Sequence, residues 1–112
     1  MEHHFLLTYS VHPQDPDDNI DVDKANKVRN DIRKINVWKK LDDVETVFTG
    51  EMDLSGDNLT MRAKAVSKVR DQFEDILREH GAKSAYVKIN CVLMVDGLGT
   101  PIIFEVTIRG YV

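Results

Sequence analysis

The sequence predicts an α+β domain: an antiparallel β-sheet with two helices packed on one of its faces. Three observations lead to it. Residues 84–96 and 101–109 alternate apolar and polar side chains around Asp96-Gly97-Leu98-Gly99, the pattern of a C-terminal β-hairpin. Residues 24–36 and 61–80 instead repeat apolar side chains every three or four positions, as helices with one buried stripe do. A further alternating segment precedes each helix, so the order reads strand, helix, short strand, strand, helix, strand, strand.

Each element has its own warrant. Residues 3–12 place Phe5, Leu7, Tyr9 and Val11 on one side of a strand. Pro13–Asn19, rich in Pro, Asp and Asn, is a solvated loop, and Asp21 or Asp23 then caps the first helix. In that helix Ala25, Val28, Ile32 and Ile35 form the apolar stripe. Trp38–Leu41 reads as a short strand turned by Asp42-Asp43 into a clearer one at 44–52, with Val44, Thr46 and Phe48 on one face. The second helix buries Val66, Val69, Phe73, Ile76, Leu77 and His80, and Gly81 stands where a helix C-terminus favours glycine. In the hairpin, Ala85, Val87, Ile89, Cys91, Leu93 and Val95 face the core from one strand, and Ile102, Phe104, Val106 and Ile108 from the other. This order fits the split βαβ, or ferredoxin-like, sandwich.

A chain of 112 residues supports one core, so residues 1–112 are expected to form a single domain. No apolar run approaches a membrane span, and the N-terminal residues carry neither the basic region nor the apolar stretch of a signal peptide. A single cysteine, Cys91, excludes an internal disulfide, and together these features predict a cytoplasmic protein. The expected outer face of the sheet carries Lys88, Asn90, Glu105, Thr107 and Arg109, but also Tyr86, Val92, Met94 and Ile103. That much apolar surface predicts a homo-oligomer.

Charge is sorted along the chain. Residues 1–23 hold six acidic side chains and no Lys or Arg; 24–40 hold seven basic ones against Asp31; 41–60 hold six acidic ones and again no Lys or Arg. The basic block supplies the candidate binding residues Lys27, Arg29, Arg33, Lys34, Lys39 and Lys40, with Trp38 as a stacking group. Cations beside an aromatic ring suit phosphates and bases, although any amphipathic helix also needs a polar face. The overall pI of about 5.5 excludes indiscriminate nucleic-acid binding.

Other chemistry finds less support. Asp15, Asp17, Asn19, Asp21 and Asp23 alternate as in a calcium loop, but the sixth and twelfth positions hold Ile20 and Asn26 where Gly and Glu are needed. His3, His4, His12 and His80 show no metal-ligand spacing, so no metal or cofactor is expected. Ser10 and His12 share a strand face but lack an orienting third group in the sequence. Cys91 points to the core, where a thiol is inert.

Leu6-Leu7-Thr8-Tyr9-Ser10-Val11, followed by Val37-Trp38-Lys39-Lys40-Leu41 and Val44–Glu51, resembles the small CRISPR-adaptation nucleases and their toxin–antitoxin relatives. The resemblance covers about half the chain. It implies a ferredoxin-like domain that dimerises through its sheets. In the nucleases an acidic residue follows the aromatic one and serves metal-dependent phosphodiester cleavage. Ser10 stands at that place here and cannot replace a carboxylate.

The sequence therefore predicts a protein that acts by binding, with RNA or DNA as its ligand and a homodimer as its form. A second reading is a non-catalytic regulatory module whose basic helix meets an acidic protein surface. A third is a relative of the metal-dependent nucleases using Tyr9, Ser10 or His12.

Overall fold

The computed structural model describes residues 1–109. The alternating N-terminal segment is a strand, β1 (Glu2–Pro13), and it occupies the centre of a five-stranded sheet. It is followed by α1 (Asn19–Ile32), β2 (Lys39–Lys40), β3 (Val47–Asp53), α2 (Asn58–Glu79), β4 (Val87–Val95) and β5 (Ile102–Val106). The strand order is β2-β3-β1-β4-β5, and every neighbouring pair is antiparallel. The fold is thus α+β, with two helices and one open sheet.

The helices begin about one turn earlier than their apolar stripes suggest. Asp18 caps α1, its Oδ1 accepting from the N–H groups of Ile20 (2.8 Å) and Asp21 (3.1 Å). Asp21 is buried in the first turn, where its carboxylate accepts from the N–H of Asp15 (3.0 Å) and so is not the cap. The loop's carboxylates are largely consumed by local backbone, Asp15 accepting in turn from Asp17. At the other end α1 stops at Ile32, short of the predicted 36, because the chain tightens there: Lys34 N–H bonds to Asp31 and Ile35 N–H to Ile32. Asp57 caps α2 through Thr60 N–H. That helix closes in a Schellman turn, with Ala82 N–H on the Leu77 carbonyl and Gly81 N–H on that of Arg78. Gly81 takes φ +58°, as that turn requires.

The core is one cluster between the sheet and the helices. Phe5, Leu7, Tyr9 and Val11 of β1 meet Ile89, Cys91 and Leu93 of β4, Ala25, Val28 and Ile32 of α1, and Ala65, Val69, Phe73 and Leu77 of α2. Trp38 seals one side, edge-on to Phe5 (5.7 Å), Phe48 (5.5 Å) and Phe73 (6.1 Å). Gly50 permits this arrangement, since a Cβ there would lie 3.0 Å from the Phe5 ring.

Several local expectations are corrected. Val44 and Thr46 are exposed and precede β3, because Val44 N–H folds back onto Leu41 in a turn. The short strand shrinks to Lys39–Lys40. Ala85 is exposed, and Tyr86 packs on the core instead of joining the outer face, because both lie in a turn held by Tyr86 N–H on the Lys83 carbonyl. No helix among the described residues is long and apolar enough to cross a membrane.

Candidate interaction surface

The basic block lies on α1 and on the chain leading into β2, and most of its charge is already engaged. Lys27 pairs with Asp23 one turn back (3.0 Å), Lys34 with Asp31 (3.6 Å), and Arg33 reaches Glu45 (3.9 Å). Arg29 is partly buried and holds α1 to the central strand: its Nη2 donates to the Val11 carbonyl (2.7 Å) and its Nη1 to Asn26 (2.5 Å). Trp38 sits in the aromatic cluster with only part of its ring in contact with solvent. Among the described residues, Lys39 and Lys40 have no carboxylate partner, while the other four cations are tied to neighbours. The structure thus brings the predicted residues near one another without turning them into one free cationic face.

The face of the sheet away from the core is built by register. Residues directly opposite one another across antiparallel strands share a face. One row runs Lys39–Thr49–Leu6–Met94, and the next Val47–Thr8–Val92–Ile103. Beyond them lie Ser10–Asn90–Glu105 and His12–Lys88. Ile103 is 79% exposed, Met94 51% and Leu6 37%, so the middle of this face is apolar and open to solvent. Charge of both signs borders it: His4 pairs with Glu51 (3.4 Å) beside Lys39 at one end, and Lys88 and Glu105 stand at the other. Shallow grooves run over both ends, one lined by Leu6, Thr49 and Met94, the other by Thr8, Val92 and Ile103.

Ser10 and His12 do meet on this face, Ser10 Oγ lying 2.7 Å from His12 Nε2. Among the described residues no carboxylate is hydrogen-bonded to His12, so the pair lacks the third group that would orient the ring for nucleophilic catalysis. Tyr9 faces the opposite way, into the core, and burial raises its phenol pKa. Cys91 is buried as well, and desolvation pushes its thiol up to about 12, leaving no reactive thiolate near neutral pH.

Reading by sequence missed one cluster. His80, expected on the apolar stripe of α2, is instead the C-cap residue, with Nε2 2.6 Å from Asp31 Oδ2 at the end of α1. That hydrogen bond, helped by the nearby Lys34, holds the Asp31 carboxyl below the usual carboxylate range. Glu79 lies beside the pair. Its members come from two helix ends far apart in sequence, and no spacing rule reaches across them.

No family model matches the chain, and neither a curated protein nor a solved structure was found to match it.

Proposed function

We propose that this protein is a non-catalytic binding domain of ferredoxin-like type that works as a homodimer, two copies joining through the open faces of their sheets. The strand order supports the fold, since β2-β3-β1-β4 is the split βαβ pattern and β5 extends it as the second arm of the hairpin. One observation carries the dimer: two adjacent rows bring Leu6, Met94, Val92 and Ile103 together, with Leu6, Met94 and Ile103 exposed, on a face that no other part of the described chain covers. The occupant is a second copy because the border is self-complementary. Lys39 and Glu51 share one corner of the face and Lys88 and Glu105 the opposite corner, so each corner offers both signs to the same corner of a partner turned about a two-fold axis through the two corners. Five strands about 4.8 Å apart and roughly 30 Å long in the middle present on the order of 600–700 Å², close to the ~800 Å² per partner of standard interfaces.

Anion binding is the second reading, with RNA or DNA as ligand and Lys39 and Lys40, the two candidate cations with neither a carboxylate nor a carbonyl partner among the described residues, as its phosphate contacts. An acidic protein surface is the competing ligand for the same lysines.

One experiment tests both. Sedimentation of the wild type and of Ile103→Glu/Met94→Glu, with and without a labelled single-stranded RNA, is expected to give a wild-type dimer and a folded monomeric variant. RNA binding is expected to weaken with salt and with Lys39→Glu/Lys40→Glu. A monomeric wild type at ~100 μM, about a hundredfold above micromolar affinity, overturns the dimer. Binding insensitive to salt and to the lysine changes overturns the nucleic-acid reading.

A further inference from the structure

We propose that Asp31, Glu79 and His80 form a binding site for a divalent transition-metal ion, which would clip the end of α1 to the end of α2. Each residue offers one ligand atom, and the three atoms lie within 4.8 Å of one another, with His80 Nε2 and Asp31 Oδ2 2.6 Å apart. Ligand atoms about 2.0–2.1 Å from a tetrahedral ion stand roughly 3.3 Å apart. The observed set brackets that spacing, so a small opening of the Asp31–His80 pair and a rotation of Glu79 complete the triangle.

The chemistry of the donors selects the ion. An imidazole nitrogen with two carboxylates suits zinc, cobalt, nickel or manganese and disfavours calcium and magnesium, which prefer all-oxygen sets. The surroundings suit a cation as well. Asp31 is in the last turn of α1 and Glu79 and His80 end α2, so each ligand lies toward the negative end of its own helix dipole. Asp31 and His80 are only about one-quarter and one-fifth exposed, while Glu79 faces solvent, which leaves the ion an entry path and a fourth position for water.

Two cations compete nearby. Lys34 Nζ lies 3.6 Å from Asp31 Oδ1, the oxygen that does not face His80, and Lys24 Nζ donates to the His80 carbonyl (3.0 Å). Lys34 is exposed and free to withdraw, so an arriving ion displaces it and leaves Lys24 in place. Because folding brings Asp31 and the Glu79-His80 pair together across 48 and 49 positions, the ion binds the native state and stabilises it.

Zinc added to the metal-free full chain tests this, followed by thermal unfolding and by titration calorimetry, with cobalt as the spectroscopic probe. Zinc at a hundred times its dissociation constant is expected to lower the unfolding equilibrium constant about 100-fold. Cobalt is expected to show visible d–d absorption. Glu79→Gln, an exposed change that leaves the fold intact, is expected to weaken zinc about tenfold or more, and His80→Gln to abolish the cobalt spectrum. Lys34→Ala is expected to tighten binding. His4→Ala/His12→Ala is expected to change nothing. The site is overturned if zinc does not stabilise the wild type, if Glu79→Gln binds as tightly, or if binding disappears in His4→Ala/His12→Ala.

Discussion

Replacing Trp38 with alanine separates the two roles this residue can hold, core anchor and base-stacking platform. A large aromatic side chain covers 150–250 Å², and Trp38 keeps most of its ring against Phe5, Phe48 and Phe73. Taking ~140 Å² as buried at about 25 cal/mol per Å² gives roughly 3.5 kcal/mol of transfer free energy. The methyl group that remains returns about 0.8 kcal/mol, and the lost edge-to-face contacts subtract about 0.5 kcal/mol again. Trp38→Ala is therefore expected to destabilise the protein by about 3 kcal/mol, within the range seen for large-to-small core changes. The assay is urea unfolding followed by far-ultraviolet circular dichroism, because Trp38 is the only tryptophan and its fluorescence vanishes with the substitution. With a slope near 1.5 kcal/mol per molar, the midpoint falls by about 2 M. A loss below about 1 kcal/mol, with native secondary structure retained, would refute the core assignment. It would return the ring to the binding surface.

Two further predictions concern charge. Arg29→Ala is expected to cost about 1–2 kcal/mol, since it removes a donor from the Val11 carbonyl, while Lys27→Ala costs less than about 0.5 kcal/mol because its exposed pair with Asp23 is screened; parallel urea titrations check the difference. Acid should weaken the fold through three carboxylates held below the ordinary range: Asp31 by the His80 hydrogen bond, Asp53 by the N-terminal ammonium group, and Asp57 by the Thr60 N–H. A depressed pKa contributes stability above the unfolded value, near 4, and loses it as pH falls through the folded one, so melting temperatures should drop below about pH 4. Asp31→Asn, Asp53→Asn and Asp57→Asn together should flatten that drop, and an unchanged acid limb would show that other groups govern it.

How much was legible depended on whether the signal was local. Alternation at Phe5, Leu7, Tyr9 and Val11 and at Val87, Ile89, Cys91 and Leu93 located the two central strands and chose their buried faces, because a period of two has only two solutions. The helix starts were misplaced because Asp18, Asp21 and Asp23 are equally good caps by type, and only the bond from Asp15 N–H to Asp21 removes one of them. Tyr86 was assigned to the wrong face because extending the alternation back through Ala85 ignored a turn that carries no Gly or Pro. The candidate binding residues can be named from the sequence, but how each of them is engaged cannot be read there. Whether Arg29 is a phosphate ligand or a clip on β1 depends on a carbonyl 18 positions away, which no composition argument reaches.

The sorted charge illustrates the same point at larger scale and redirects the functional argument. In sequence the acidic and basic blocks stand apart, which suggests a molecule aimed at an external partner. In space they meet: Asp23 of the first acidic block takes Lys27, Asp31 takes Lys34, and Glu45 of the second acidic block approaches Arg33. Exposed pairs of this kind add little stability, but each one removes a cation from the pool available to a polyanion. Of the seven cations in residues 24–40, Lys27, Arg33 and Lys34 are thereby engaged by carboxylates, Lys24 and Arg29 donate to backbone carbonyls, and Lys39 and Lys40 are left on the edge strand. The sheet follows the opposite course. Its outward side chains look like ordinary alternation in the sequence, yet register collects Leu6, Val92, Met94 and Ile103 into adjacent rows that no other described residue covers. Unsatisfied apolar surface costs free energy for as long as it faces water, whereas paired surface charge does not. The open sheet face therefore has the stronger physical demand for a partner, and Lys39, which borders both features, is where an anionic ligand would meet the proposed dimer.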